Sequence, residues 1–381
     1  MLLDPVALTQ NLIQRPSVTP NDEGCLDLVT EHLQEMGFNC HRLPFGDVDN
    51  LYARLGTTEP NFCFAGHTDV VPVGDLSRWS VDPFGGIIKD GYVYGRGAVD
   101  MKGAIACFVA AVSEFLAKGS FKGSISLLLT SDEEGPARDG TIKVIEWLKS
   151  KGEKISACLV GEPTNPKELG QMVKVGRRGS LNAKITAVGR SGHVAYPHFA
   201  VNPIPALLDY LQPLLEKPLD EGMQDFDPSH LEITSVDVGN PTTNVIPDTA
   251  VAQLNVRFNP IYTGQSLTAY LETILEKVKS KHKSQWLLDT KISGEAFLTH
   301  HPILRKLVGD AVHEITGKIP EFSTSGGTSD ARFLKDICPV VEFGLINAEA
   351  HQIDEKVRIE DLKMLTKVYI KILEKAESSS F

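Results

Sequence analysis

Hydrophobic and polar positions along this chain fall into two rhythms. Up to about residue 179, amphipathic stretches of helical period alternate with short runs that are apolar almost throughout. Asp4 and Pro5 mark the start of one amphipathic stretch that reaches Gln14, and Asn21 opens a second that closes at Gly37. The apolar runs 61–65 (NFCFA), 124–130 (SISLLLT) and 157–160 (ACLV) each end in glycine or acidic residues, with helical patterns at 101–115 and 141–149. A strand that is apolar on both sides is buried on both sides. Such strands separated by helices predict a mostly parallel sheet with helices on both faces.

The second rhythm runs from 180 to 293. Residues 181–188 alternate as a strand, 203–215 read as helix, 231–238 and 250–257 as strands, 267–279 as helix and 286–292 as strand. That order, β-α-β-β-α-β, is ferredoxin-like. Helix returns at 303–316, strand at 340–343 and a closing helix at 359–375. The expected fold class is therefore α/β, with residues 1–179 and 294–381 forming one domain and 180–293 an inserted ferredoxin-like α+β domain. The tail 377–380 reads as disordered.

Composition narrows the classes. A chain of 381 residues with 42% hydrophobic content exceeds the size at which one core usually stops growing, which agrees with two domains. A formal net charge of −11 argues against a partner recognised through a nucleic-acid backbone. The six cysteines form no C-x-x-C pair and read as reduced thiols, which suits a cytoplasmic location. The opening MLLDPVALTQ has no signal-peptide pattern, and no apolar run approaches the roughly 20 residues of a membrane span, so no membrane partner is expected.

Candidate chemistry clusters where expected strands end: Gly66-His67-Thr68-Asp69, Val99-Asp100-Met101-Lys102-Gly103, Asp132-Glu133-Glu134-Gly135 and Gly161-Glu162-Pro163-Thr164. In an open α/β sheet that edge is where ligands bind. So many carboxylates at one edge repel one another unless a cation holds them, which points to a metal site. Asn347-Ala348-Glu349-Ala350-His351 follows the late strand and brings a second histidine, with His300, His301 and His313 as competitors. Two imidazoles and three carboxylates are too few for two closed cages but suit two metals sharing a bridging carboxylate. Donors without thiolate favour zinc, with cobalt or manganese as substitutes. Simpler readings stand beside these: Asp100 as a helix cap, Glu162 as a turn residue before proline, Arg177 and Arg178 as solvated charges. Spacing alone does not say which of Glu133 and Glu134 binds metal.

In their order, GHTDVVP, GRGAVDMKG, SDEEG, GEPT and the late histidine resemble the co-catalytic zinc amidohydrolases, a family that includes aminoacylases, carboxypeptidases and N-acyl-diamine deacylases. The likeness spans almost the whole chain. Residues 176–180 (GRRGS), 192–197 (GHVAYP), 243–247 (TNVIP) and 325–330 (SGGTSD) are similar to the diamine-deacylase branch, with departures at Ala331 and Leu345-Ile346. The resemblance implies two zinc ions per subunit: His67 and Glu162 on one, Glu134 and His351 on the other, and Asp100 between them. It also implies that Asp69 hydrogen-bonds the ring nitrogen of His67 turned away from the metal. Glu133 would be the base that moves the proton. Arg177 and Thr328 would meet the acyl carboxylate of a small-molecule substrate, and Ser180, Asn244 and Arg257 belong to the same substrate-binding set. His193, in the inserted domain, would reach the partner subunit's site and stabilise the oxyanion, which calls for a homodimer built through that domain.

Other classes stay open at this point. A sibling N-acyl amino-acid deacylase shares the metal motifs, and a metal-free binding or scaffold protein shares the fold. Gly95-Arg96-Gly97 suggests a dinucleotide-binding turn, but Asp100 stands where the fingerprint requires its third glycine.

Overall fold

A computed structural model describes residues 2–216 and 218–379. The chain forms two compact units. One takes the chain up to Val175, Thr299–Ser323 and everything from Ser329 onward; the other takes Gly176–Leu298 with the short return Thr324–Thr328.

The larger unit is built on a sheet whose strands lie in the order Asn39–Arg42, Asn50–Leu55, Ser124–Thr130, Asn61–His67, Ala157–Val160, Val340–Glu342, Met172–Lys174 and Glu321–Ser323. The third to sixth of these are mutually parallel, and antiparallel pairing is confined to the first two junctions and the contact of Glu342 with Lys174. Helices cover both faces, as the mostly apolar runs predict: every residue of Asn61–His67 and of Ser124–Thr130 is buried. Helix Lys102–Lys118 packs on the sheet through Phe108, whose ring stacks on Phe64 at 4.2 Å. Tyr369 of the closing helix Ile359–Glu377 meets both rings edge-on and donates its hydroxyl to the Phe343 carbonyl at 2.8 Å. Register aligns the strand ends: His67 sits opposite Thr130, and Ala65 opposite Val160. The loops leaving those ends therefore begin at one edge of the sheet.

The smaller unit is a four-stranded antiparallel sheet in the order His230–Asp237, Thr249–Phe258, Gly179–Val188 and Gln285–Gly294. Helices Pro203–Leu215 and Gly264–Lys279 bury Leu207, Tyr210, Leu271 and Ile274 against Leu181, Ile185, Leu254 and Val256. Alternation places those apolar side chains on one face, and this is the ferredoxin-like arrangement.

Two local expectations change. The second helix starts at Cys25 rather than near Asn21, because the Asp22 carboxylate takes the amides of Gly24 and Leu26 and turns the chain first. The closing helix runs to Glu377, and the hydroxyls of Ser378 and Ser379 donate to the Lys375 carbonyl, so the expected disorder is not found there; Ser380 lies outside the described residues. The six cysteines are unpaired, five buried and Cys40 half-buried. No described helix is long and apolar enough to cross a membrane.

Candidate metal centre

His67 is the last residue of its strand, Glu133 and Glu134 follow the Ser124–Thr130 strand, and Glu162 follows Ala157–Val160. Asp100 comes just before helix Lys102–Lys118, and His351 just after the short turn Asn347–Glu349. These side chains converge. His67 Nε2 lies 3.2 Å from Asp100 Oδ1 and 3.7 Å from Glu162 Oε1. His351 Nε2 lies 3.3 Å from Asp100 Oδ2 and 2.7 Å from Glu134 Oε1. Asp100 thus turns one oxygen to each histidine. Three donor sets, each with atoms within 4.8 Å of one another, result: His67 with Asp100 and Glu162; Asp100 with Glu134 and His351; His67 with Glu133 and Glu134.

The charge balance of this cluster fits divalent cations. Burial would lower the pKa of His67, but the hydrogen bond to Asp100 and the charges of Glu162, Asp100 and Asp69 hold it well above the ordinary value. Hydrogen bonds to Asp100 and Glu134 lift His351 to about 10. Burial pushes Glu133 up to about 8, with Asp330 and Glu134 adding repulsion, and it raises Glu162 well above the carboxylate range, helped by the Asp100 charge. Burial also opposes ionisation of Asp100, yet its bonds from His351 and His67 keep it well below the usual value. In the metal-free chain, protons do what cations would do. Imidazole and carboxylate donors in this number, with no thiolate among them, suit zinc-like ions.

Asp69 takes a form that the sequence did not suggest. His67 Nδ1 donates to the main-chain carbonyl of Asp69 at 2.8 Å, while the nearest carboxylate oxygen is 3.7 Å away. A carbonyl only accepts, so Nδ1 carries a proton there. In the metal-free chain Nε2 is protonated as well and donates to Asp100, and once that proton leaves, its lone pair is free for a metal. The Asp69 carboxylate is used elsewhere: its two oxygens accept the amides of Glu133 at 3.2 Å and Glu134 at 3.1 Å. Burial lifts its pKa to about 6. Asp132 shapes the same loop by accepting the amides of Arg138 and Asp139. One carboxylate holds the loop from within, one clamps it from outside, and Glu133 and Glu134 face the cluster.

Two simpler readings lose their basis. The helix cap is Met101, with no side-chain bond to the helix, so Asp100 does not cap it. His301 caps helix Pro302–Thr316 by accepting the Leu304 amide at 3.2 Å, and among the described residues neither it nor His300 nor His313 joins a donor set.

The remaining candidates lie in the smaller unit. Arg177 is buried and reaches the carbonyls of Gly327 at 3.1 Å and Ser325 at 3.5 Å, beside Thr328. Gly326, at φ 103°, allows that approach, since a Cβ there would stand 2.8 Å from Arg177 Nη1. Ser180 pairs across the sheet with Arg257, and its hydroxyl accepts from Asn255 at 3.3 Å. Burial, then the charge of Arg178, lowers the pKa of Arg257. His193 and Asn244 are exposed neighbours: the Asn244 carbonyl accepts the Val194 amide at 3.0 Å, and His193 Nδ1 accepts the Ala195 amide at 3.0 Å. His193 Nε2 has no hydrogen-bond partner among the described residues. Within their unit these contacts link Arg177 to the segment before Thr328, Ser180 to the strand of Arg257, and His193 to the strand that follows Asn244.

The sequence features of peptidase family M20/M25/M40 match residues 63–375, which hold every donor named above. The chain belongs to this family. Within it, the chain is 57% identical over 381 residues to a succinyl-diaminopimelate desuccinylase of Rhodospirillum centenum, covering 98% of each chain. It is 54% identical over 367 residues to the protein of that name from Caulobacter vibrioides, covering 96% of this chain and 94% of the relative. Among solved structures it resembles an M20 metallo-carboxypeptidase of Sulfolobus solfataricus, with a TM-score of 0.84 at 17% identity over 99% of this chain and 100% of that one. A dinuclear metal-binding M20 peptidase of Bacillus subtilis matches with a TM-score of 0.72 at 16% identity, over 97% of this chain and 96% of that one. At such identities these two structures speak for the M20 fold.

Proposed function

We propose that this chain hydrolyses the amide of N-succinyl-LL-2,6-diaminopimelate, giving succinate and LL-2,6-diaminopimelate, a step toward lysine. The observation that carries this reading is the near-full-length identity above one half to relatives named for that reaction. The reading extends to two zinc ions per subunit, one on His67 and Glu162 and one on Glu134 and His351, with Asp100 common to both; cobalt or manganese would substitute. The split of Asp100's oxygens between two histidines supports two ions over one. When bound, such ions supply Lewis acidity, polarising the amide carbonyl and making water a better nucleophile.

The chain's own residues do the rest. Glu133 takes the proton of the attacking water as the C–O bond forms, giving the tetrahedral oxyanion, and then delivers it to the leaving amine nitrogen as the C–N bond breaks. Its burial, which raises its affinity for a proton, suits that carrier role. Asp69 aims it by clamping two successive amides. Arg177 and Thr328 receive the succinyl carboxylate, for which a guanidinium fork is the apt partner, while Ser180, Arg257 and Asn244 receive the diaminopimelate end. His193 Nε2 stabilises the oxyanion in the partner subunit's site, so the working form is a homodimer through the smaller unit, in the cytoplasm.

Turnover of succinyl- against acetyl-amino-acid amides, run beside metal counting, tests this. Preference for acetyl substrates would make the chain a sibling deacylase. Fewer than two metal equivalents per active chain would end the two-ion reading.

A further inference from the structure

The loops that carry Asp100 and His351 are tied together by a buried ion pair with no role in the reading above. Glu355 is fully buried and Arg96 is 2% exposed. Glu355 Oε1 accepts the amides of Val99 at 2.9 Å and Asp100 at 3.3 Å, and Oε2 accepts from Arg96 Nη1 at 2.7 Å. Arg96 passes the connection on, donating to the carbonyl of Gln352 at 3.1 Å and toward that of His351 at 3.4 Å. Its guanidinium lies 5.3 Å from the centre of the Trp79 ring, which helps fix its plane.

The loop it grips is conformationally unusual. His351 at φ 62° and Asp354 at φ 59° both occupy the left-handed region, which side-chain-bearing residues seldom adopt. Such backbone persists only where its surroundings over-determine it. Here they do: besides the Arg96 bonds, the Asp354 carboxylate accepts the Ser80 amide at 2.8 Å, and the Glu355 carbonyl accepts the Gly95 amide at 2.8 Å. Stability alone does not account for a pair like this, because buried charges forfeit hydration and apolar residues of similar size often serve as well. Direction accounts for it better. One partner grips the amides that lead into Asp100, and the other grips the carbonyls that begin at His351.

We infer that Glu355 and Arg96 are positioning residues for the metal held by Asp100, Glu134 and His351, fixing Asp100 Oδ2 and His351 Nε2 in their mutual geometry. The inference rests on the two-ion reading of the site. Neither residue touches the donor cluster through its own side chain as a ligand; each acts through the backbone of one.

Titration of metal-free chains with cobalt(II), followed by calorimetry and visible absorption, separates the possibilities. The unsubstituted chain should take up two equivalents. Arg96→Met should keep the step assigned to His67 and Glu162 within about twofold and weaken the other by about ten- to a hundredfold, the usual effect of losing a partner that orients a ligand. Glu355→Gln, which acts on the shared Asp100, should weaken both steps, the His351 step more. The double variant Arg96→Met/Glu355→Leu removes both charges together, the change a buried pair best tolerates, and should likewise weaken the His351 step more. Folded variants with both steps unchanged, or both weakened alike, would overturn the inference. So would failure of all three to fold, since the pair would then hold the fold rather than the ligands. Uptake of fewer than two equivalents by the unsubstituted chain would instead sink the two-ion reading itself.

Discussion

At the scale of single residues, the adjacent glutamates differ in their partners although both face the cluster from one clamped loop. Glu134 pairs with His351 at 2.7 Å, whereas the Glu133 carboxylate accepts no hydrogen bond among the described residues and lies within reach of His67 and Glu134. Glu133→Gln should therefore retain both metals and lose about 10²- to 10⁴-fold in turnover, the usual worth of a general acid–base group. Glu134→Gln should loosen one metal. Equal metal loss in the two variants, measured by elemental analysis, would show the roles to be exchanged or shared. Proton coupling gives a second test at this scale. The metal-free His351, with its pKa raised to about 10, is protonated at neutral pH, and a metal needs it neutral. Loading should then release protons between pH 7 and 9, and affinity should rise by about tenfold per pH unit for each proton released. Calorimetry in buffers of different ionisation enthalpy reads that release directly, and buffer-independent heats would contradict it.

At the scale of elements, the cluster depends on how closely helix and strand ends approach. Two glycines immediately precede His67 and Glu162, Gly66 within its strand and Gly161 directly after the neighbouring parallel strand, and the Met101 side chain packs against both. A Cβ on Gly161 would stand 2.5 Å from Phe64 Cζ and 2.7 Å from Met101 Cε. Phe64 cannot yield, being stacked on Phe108 and edged by Tyr369. A Cβ on Gly66 would press only on Met101, a flexible thioether. Gly161→Ala should therefore cost about 1–3 kcal/mol, an overpacking penalty, and Gly66→Ala less. Thermal unfolding of metal-free chains measures the difference; equal midpoints for the two variants would refute this account of the packing. Helices and strands themselves were largely legible in the sequence, because 61–65 and 124–130 are mostly apolar and 249–258 alternates. The start at Cys25 was not, since the side-chain bonds of Asp22 mimic the beginning of a helix without forming one.

At the scale of the whole molecule, the proposed role of His193 makes catalysis a property of two chains. His193→Ala should lower kcat by about 10²- to 10³-fold, as for loss of an oxyanion donor, with metal content unchanged. A sharper consequence concerns mixed dimers. Mixing inactive Glu133→Gln chains with inactive His193→Ala chains should restore activity, because one site of each mixed dimer then has an intact glutamate and an intact histidine from its partner. Dimers that exchange subunits, as shown by sedimentation and mass spectrometry, yet recover nothing would place His193 outside the partner's chemistry.

The sequence by itself determined which segments are buried and what kinds of donor stand at their ends, because both follow from local periodicity and from residues next to each other in the chain. It also carried the order of motifs that marks the family. Tertiary structure alone decided how those donors are aimed. Asp100 divides its oxygens between His67 and His351, which stand on opposite sides of it in the chain, and Asp69 serves His67 through its carbonyl rather than its carboxylate. Glu355, which grips the amide of Asp100 across 255 positions, has no neighbouring motif to announce it. Aim of this kind depends on loop backbones held by distant partners, and no local pattern of polar and apolar residues encodes which partner that will be.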